Sequence, residues 1–331
     1  MQTKTFNNNV FVKGYAAVGS VMEKQGSYGG YFDVIFEDPL AGEKTWEKAE
    51  SRFQKTAVDE ALKKSRLSAS EIDNVFAGDL LNQCTGSSFA ARKSAIPFIG
   101  VYGACSTMAL STGLAASFIS SGISKNVVAA TSSHFCSAER QYRFPLEYGG
   151  QRTTSAQWTA TAAGALVLSS EPSEIMVQSA TFGKIVDLGI KDATNMGAAM
   201  APAAADTIAA YLKDTVTKPS DYDRIFTGDL GSVGTELLYE LLDKENLDIK
   251  DYHSDCGLML YDRSKQDVHA GASGCGCSAS ILCGYILNEM KKGGFKNILF
   301  CATGALLSPT TTNQGESIPS IAHIINFKRV K

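Results

Sequence analysis

Bulky apolar residues recur at helical spacing through Met108, Leu110, Leu114, Phe118 and Ile119, and no Asp, Glu, Lys or Arg occurs between Ser94 and Ser124. A helix that is apolar or small all round is buried all round, so this stretch predicts a central helix. The apolar run Ile96–Tyr102 before it predicts a strand, joined to the helix by the small-residue turn Gly103-Ala104-Cys105-Ser106-Thr107. Upstream, Trp46–Lys64 predicts an amphipathic helix with its charges on one face, Val75–Ala77 a short strand, and Phe89–Lys93 a helical segment. Downstream, Asn126–Thr131, Gly164–Leu168 and Ile175–Phe182 predict strands, and Met196–Leu212 a further helix. Residues 1–45 predict irregular chain or short strands, broken by Gly26, Gly29 and Gly30. Alternating strands and helices of this kind imply an α/β fold with a parallel sheet covered by helices.

The chain also repeats itself. Phe76-Ala-Gly-Asp-Leu80 recurs as Phe226-Thr-Gly-Asp-Leu230, and Ala104-Cys105-Ser106 as Gly276-Cys277-Ser278, which opens a second uncharged stretch, Val268–Asn288. Lys125-Asn126-Val-Val-Ala-Ala-Thr131 recurs as Lys296-Asn297-Ile-Leu-Phe-Cys-Ala-Thr303, and the spacing from cysteine to threonine is 26 in both copies. Matched elements in the same order imply a duplication. The join is expected near residue 195, giving halves 1–194 and 195–331, each built around one buried central helix.

Composition narrows the function classes. Of 331 residues 44% are hydrophobic and 20% charged, with a net charge of −3, so no basic excess points to nucleic acid. The polar N-terminus lacks the apolar core of a signal peptide. The uncharged runs are laced with Gly, Ser, Thr and Ala and fall short of the roughly 20 apolar residues a membrane span needs. Eight cysteines without a secretory signal read as reduced thiols.

Cys105 opens a helix, where free N–H groups and the helix dipole favour a thiolate or a bound anion. That placement suits a nucleophile and an anion pocket equally. Cys277 with Cys275 forms Gly-Cys-Gly-Cys-Ser, but zinc needs four ligands at recognisable spacing, and close packing at a helix start is the preferred reading; no metal site is expected. Among four histidines, His134 directly follows a predicted strand and is the best candidate for a general base. His253 lies in a polar segment and is expected to be exposed; His323 sits in a strand-like run. The polar excursion Glu139–Arg152 carries Arg140 and Arg143, cations able to grip a carboxylate, with Tyr148 in the turn Tyr148-Gly149-Gly150.

These features resemble the thiolase and ketoacyl synthase superfamily: a duplicated half, a cysteine opening a buried helix, and Gly164-Ala-Leu-Val-Leu168 as a returning strand. Ala77-Gly-Asp-Leu-Leu-Asn-Gln83, Gly103–Thr107, Ala130-Thr-Ser-Ser-His134, Glu147-Tyr-Gly-Gly-Gln151, Met200-Ala-Pro-Ala-Ala-Ala-Asp-Thr207 and Ala302-Thr-Gly-Ala-Leu-Leu-Ser-Pro309 are similar, more narrowly, to the stage V sporulation protein AD family of spore-forming Firmicutes. The resemblance implies thiolase-like duplicated αβαβα layers with two buried central helices, and a homodimer without a cofactor. It implies binding of dipicolinic acid, alone or with calcium, and help in moving it into the developing spore. It further implies a place peripheral to the spore's inner membrane, beside membrane proteins of the same sporulation operon. Thiolases carry Gly-His-Pro where this chain has Gly271-Ala272-Ser273, and Cys-x-Gly-Gly-Gly where it has Ala302-Thr-Gly-Ala-Leu306. With those groups missing, ligand binding is expected to outweigh acyl transfer. The expected ligand contacts are Cys105, Ser106, His134, Arg140, Arg143, Tyr148, Ser273 and Cys277, with Asp79 or Glu139 as oxygen ligands for any calcium. In the alternative, an acyltransferase or condensing enzyme, Cys105 and His134 are the catalytic pair.

Overall fold

The computed structural model describes residues 1–142 and 151–330. In chain order its strands are β1 (Thr3–Ser20), β2 (Val34–Phe36), β3 (Asn74–Gly78), β4 (Phe98–Gly100), β5 (Asn126–Ser133), β6 (Trp158–Thr159), β7 (Ala162–Ser169), β8 (Ile175–Phe182), β9 (Arg224–Thr227), β10 (His253–Asp255), β11 (Ala272–Ser273), β12 (Asn297–Ala305) and β13 (Ser320–Arg329). One sheet runs in the order β10-β9-β12-β13-β8-β1-β7-β5-β3-β4, with β2 beside β1; β6 and β11 pair separately. Read outward from its centre, the order shows the duplication. β1-β7-β5-β3-β4 mirrors β8-β13-β12-β9-β10, and each set has parallel outer strands and an antiparallel return strand, β7 or β13. Antiparallel pairing of β1 with β8 joins the two.

This order moves the repeat boundary. The second copy begins with β8, so the join lies between Ser169 and Ile175 and not near residue 195. Met196 opens the helix that follows the second copy's first strand, as Trp46 does in the first. The helices Trp46–Ser65 and Met196–Thr215 are both 20 residues long. Each starts on a side-chain cap, Thr45 Oγ1 to Lys48 N–H and Asn195 Oδ1 to Ala198 N–H, which satisfies an otherwise unpaired amide. Each ends in a left-handed residue, Arg66 at φ 60° and Val216 at φ 53°.

The layers follow from what each helix covers. Phe53, Ala57 and Ala61 of the first helix pack on Ala16, Val18, Val128 and Val167. In the second half Met200, Ala204 and Ile208 pack on Leu299, Ala322 and Ile324. Between the two half-sheets lies the central helix Thr107–Ser120, touching β1, β3 and β5 on one side and β8, β12 and β13 on the other. Its second-half counterpart starts at Cys275, and every residue of Cys275–Ile281 is buried. Here the chain needs glycine at 164 in β7, because a Cβ there would stand 2.5 Å from the Ala279 carbonyl oxygen of that helix. The result is the expected αβαβα stack with two buried central helices.

Three local expectations need correction. Thr3–Ser20 is one 18-residue strand and not irregular chain; from Val10 onward it is covered on both faces, so the polar–apolar alternation of a half-exposed strand is absent. The strand before Cys105 shrinks to Phe98–Gly100 at the sheet edge. The excursion after His134 begins as a helix, Phe135–Tyr142.

Candidate functional site

Cys105 sits in a tight turn, Ala104–Ser106, immediately before the central helix. Ala104 has φ 47°, a left-handed value that costs a non-glycine residue energy. Hydroxyls hold the turn in place: Ser106 Oγ donates to the Gly103 carbonyl at 2.6 Å, and Thr107 Oγ1 to the Ala104 carbonyl at 2.6 Å. Ser106 is therefore occupied in shaping the turn.

The group that faces Cys105 comes from the other half. Asp229 follows β9, is fully buried, and its charge acts on the Cys105 thiol. Thr303 Oγ1 donates to the aspartate at 2.9 Å, Ser273 Oγ at 3.1 Å and the Gly274 N–H at 2.8 Å. Burial pushes the Asp229 pKa up to about 6 against the pull of these donors. The Cys105 thiol is pushed well above its ordinary value, first by burial and then by the Asp229 charge. Desolvation and a neighbouring carboxylate thus outweigh the helix-start effect expected from the sequence. An ordinary thiol is a few per cent thiolate at pH 7; this one is less.

The counterpart arrangement shows how the halves interlock. Asp79 stands after β3 as Asp229 stands after β9, and it accepts from Ser87 N–H at 2.7 Å, Ser87 Oγ at 2.6 Å and Leu81 N–H at 2.9 Å. Cys275, whose Sγ donates to the Ser132 carbonyl at 2.9 Å, lies in the field of Glu50 and Asp79. Each half's cysteine thus reaches the other half's aspartate loop, and the counterpart of Cys105 is Cys275, not Cys277. Cys277 is fully buried, with its Sγ 3.9 Å from the Gly228 carbonyl oxygen.

Above Cys105 is a cavity of about 60 Å³. Cys105 and Ser273 line it, with Glu139 and Tyr142 from the helix after His134, Met196 from the second half's covering helix, and Leu307. No Lys, Arg or His is among the described lining residues. His134 is elsewhere: its Nε2 lies 2.9 Å from the Pro39 carbonyl and its Nδ1 accepts from Cys136 N–H at 3.2 Å. Both nitrogens are engaged, burial lowers its pKa, and it serves as a neutral brace. Arg140 ion-pairs with Glu47 and lies over the Trp46 ring, pointing away from the cavity. Arg143, Tyr148 and the motif at 147–150 lie outside the described residues.

The other histidines are no closer to this chemistry. His253 is buried, contrary to expectation, between Thr227 Oγ1 at 2.8 Å and Tyr239 Oη at 2.9 Å, because it lies on β10. His323 accepts from Gly183 N–H at 3.2 Å on β13. Of the two oxygen ligands suggested for calcium, Asp79 is fully buried and already hydrogen-bonded, whereas Glu139 reaches the cavity wall. Among the described residues no cluster of three or more His, Cys, Asp or Glu is arranged to hold a metal ion, and no helix is long and apolar enough to cross a membrane.

Sequence reasoning missed Asp229 as a site residue. The signal was present in the repeated Phe-x-Gly-Asp-Leu, which places an acidic residue straight after a buried strand in both halves.

Solved structures with this architecture include 3-oxoacyl-(acyl-carrier-protein) synthase III of Aquifex aeolicus, with TM-score 0.58 and 13% identity over 96% of this chain and 99% of that one. Human mitochondrial 3-ketoacyl-CoA thiolase gives TM-score 0.60 and 13% identity over 98% and 100%. Identities this low show the fold, which is thiolase-like. In sequence, the chain is 43% identical over 328 residues to stage V sporulation protein AD of Bacillus subtilis, covering 99% of this chain and 97% of that protein. The family model for stage V sporulation protein AD matches residues 1–328, and the chain belongs to that family.

Proposed function

We propose that this chain acts in sporulation as a non-catalytic binding protein, taking dipicolinic acid as its calcium complex into the cleft above Cys105. The observation that carries this reading is the state of Cys105. Acyl transfer needs a thiolate, a base and donors for the developing oxyanion. Here the thiol is buried and neutral beside the Asp229 charge, and the histidine expected as its base, His134, is bound to Pro39 and Cys136. Proton transfer from a thiol held well above 9 to an aspartate near 6 is strongly uphill.

Calcium bound to dipicolinate accepts further oxygen ligands such as a carboxylate, and Glu139 lines the cavity. The existing space, about 60 Å³, holds water and not a pyridine ring, so binding requires the lining side chains to move apart.

The protein also pairs as a homodimer through β4 in this reading. That strand is one of the two ends of the sheet, with Phe98 exposed in it and Tyr102 exposed just after it, and an unpaired apolar edge is a template for another strand. Placement at the spore's inner membrane, beside membrane proteins of the same operon, completes the proposal.

Two measurements test it. Calorimetric titration should give a saturable isotherm with dipicolinate plus equimolar calcium and a weaker one with chelator present. Intact-mass measurement after incubation with acetyl-, malonyl- and long-chain acyl-CoA should show no adduct. A thioester on Cys105 would restore the acyltransferase reading.

A further inference from the structure

A second cleft lies on the outer face of the first half, between the helix Trp46–Ser65 and the segment 90–96. Its inner part is a cavity of about 250 Å³ walled by Val58, Leu62, Val75, Ala77, Ala91 and Ile96. Its outer part shares Lys55, Ala90 and Lys93 with the inner part and adds Lys48, Arg52 and Arg92. Lys48, Arg52 and Lys55 recur on one face of the helix, at the spacing of successive turns. Phe89 lies exposed at the same rim, with the Arg92 guanidinium 4.9 Å from its ring centre.

Charge is concentrated here against the balance of the whole chain. Five cations line the cleft and two carboxylates face them: Glu43, 3.8 Å from Arg52, and Asp59, 2.5 Å from Lys55. Lys48, Arg92 and Lys93 have no carboxylate within ion-pairing distance among the described residues, in a protein whose net charge is −3. An apolar slot that ends at a row of cations matches one kind of ligand in both shape and charge.

We infer that this cleft binds an anionic amphiphile, with a single acyl chain in the apolar slot and its carboxylate or phosphate head on the Lys48/Arg52/Lys93 rim. An acid without a chain leaves the slot empty. A neutral chain leaves the cations unpaired. The site is separate from the Cys105 cleft and stands whether or not dipicolinate binds there.

The test is displacement of cis-parinaric acid, which fluoresces in apolar sites, from the full-length protein. Competitors are alkyl carboxylates of increasing length, dodecanol, inorganic phosphate and phosphatidylglycerol vesicles. Affinity should rise with each methylene, by at most about fourfold, until the slot is filled. Dodecanoate should bind about tenfold tighter than dodecanol, and phosphate alone should compete poorly. Arg52→Glu combined with Lys93→Glu should erase the advantage of dodecanoate while leaving dodecanol unchanged. Ala91→Phe should abolish binding of both, with the far-ultraviolet circular dichroism unaltered. Displacement by vesicles as well as by free carboxylate identifies a membrane lipid as the source; displacement by carboxylate alone identifies a free acid. Equal binding of dodecanol and dodecanoate, phosphate competition independent of chain length, binding unchanged in both variants, or capture of an acidic peptide with no affinity for any acyl chain would each overturn the inference.

Discussion

Asp229 offers the sharpest physical test of the site, because its charge is expensive where it sits. Its pKa is raised from 3.8 to about 6, mainly by complete burial. For an acid whose folded value lies above its unfolded value, the unfolded chain ionises first. The stability tied to this group is therefore fully present below about pH 4, is lost as pH rises to about 6, and stays lost above that. A shift of about two units corresponds to about 3 kcal/mol. Asp229→Asn keeps the shape and removes the titration. His253 and His323, both lowered to about 4, titrate in both proteins and cancel in the comparison, whereas Asp255, also raised to about 6, repels Asp229, so part of the difference reports that pair. Urea unfolding at pH 4, 5, 6 and 7 should therefore show the Asn variant gaining about 2.5 kcal/mol relative to wild type between pH 4 and pH 7. A difference constant within about 0.5 kcal/mol across that range would refute the reasoning, because Asp229 would then not be a costly buried carboxylate.

Alkylation of the native protein with iodoacetamide at pH 7.5 should label the half-exposed Cys84 and Cys136 before the buried Cys105; peptide mapping that finds Cys105 modified first would mean an activated thiol. Gly164→Ala should cost about 2–4 kcal/mol, since its Cβ would stand 2.5 Å from the Ala279 carbonyl oxygen and neither backbone can yield cheaply; a loss under 1 kcal/mol in thermal unfolding contradicts the close packing. Phe98→Asp at the β4 edge should convert dimer to monomer in sedimentation, with the fold retained; an unchanged mass moves the dimer contact elsewhere.

Much of the fold was legible because the duplication left local marks. Phe-x-Gly-Asp-Leu closes a buried strand in each half, and the uncharged helices announce burial on every side. The join was harder to place, because the repeated motifs begin only at Phe76–Leu80 and Phe226–Leu230, after the covering helices, while β1 and β8 differ in length and in their neighbours. Pairing Cys105 with Cys277 rested on equal spacing to Thr131 and Thr303. In the sheet, Gly78 lies opposite Thr131, whereas Thr227 lies opposite Cys301, so Thr303 stands one place beyond the counterpart of Thr131. A count along the chain could not detect that slip. The crossing of each cysteine to the opposite half's aspartate depends on how the halves pack, which no local pattern encodes. For the same reason His134 looked functional: its position after a strand was read correctly, but its two partners lie on segments that only the folded chain brings to it.

The central claim is that the cleft above Cys105 holds a ligand without reacting with it. The most direct measurement is a crystal structure of the protein grown with calcium dipicolinate. The account predicts the chelate between Ser273, Tyr142 and Met196, with Cys105 unmodified. An empty cleft with the ligand bound elsewhere, or a covalent group on the Cys105 sulfur, would contradict it.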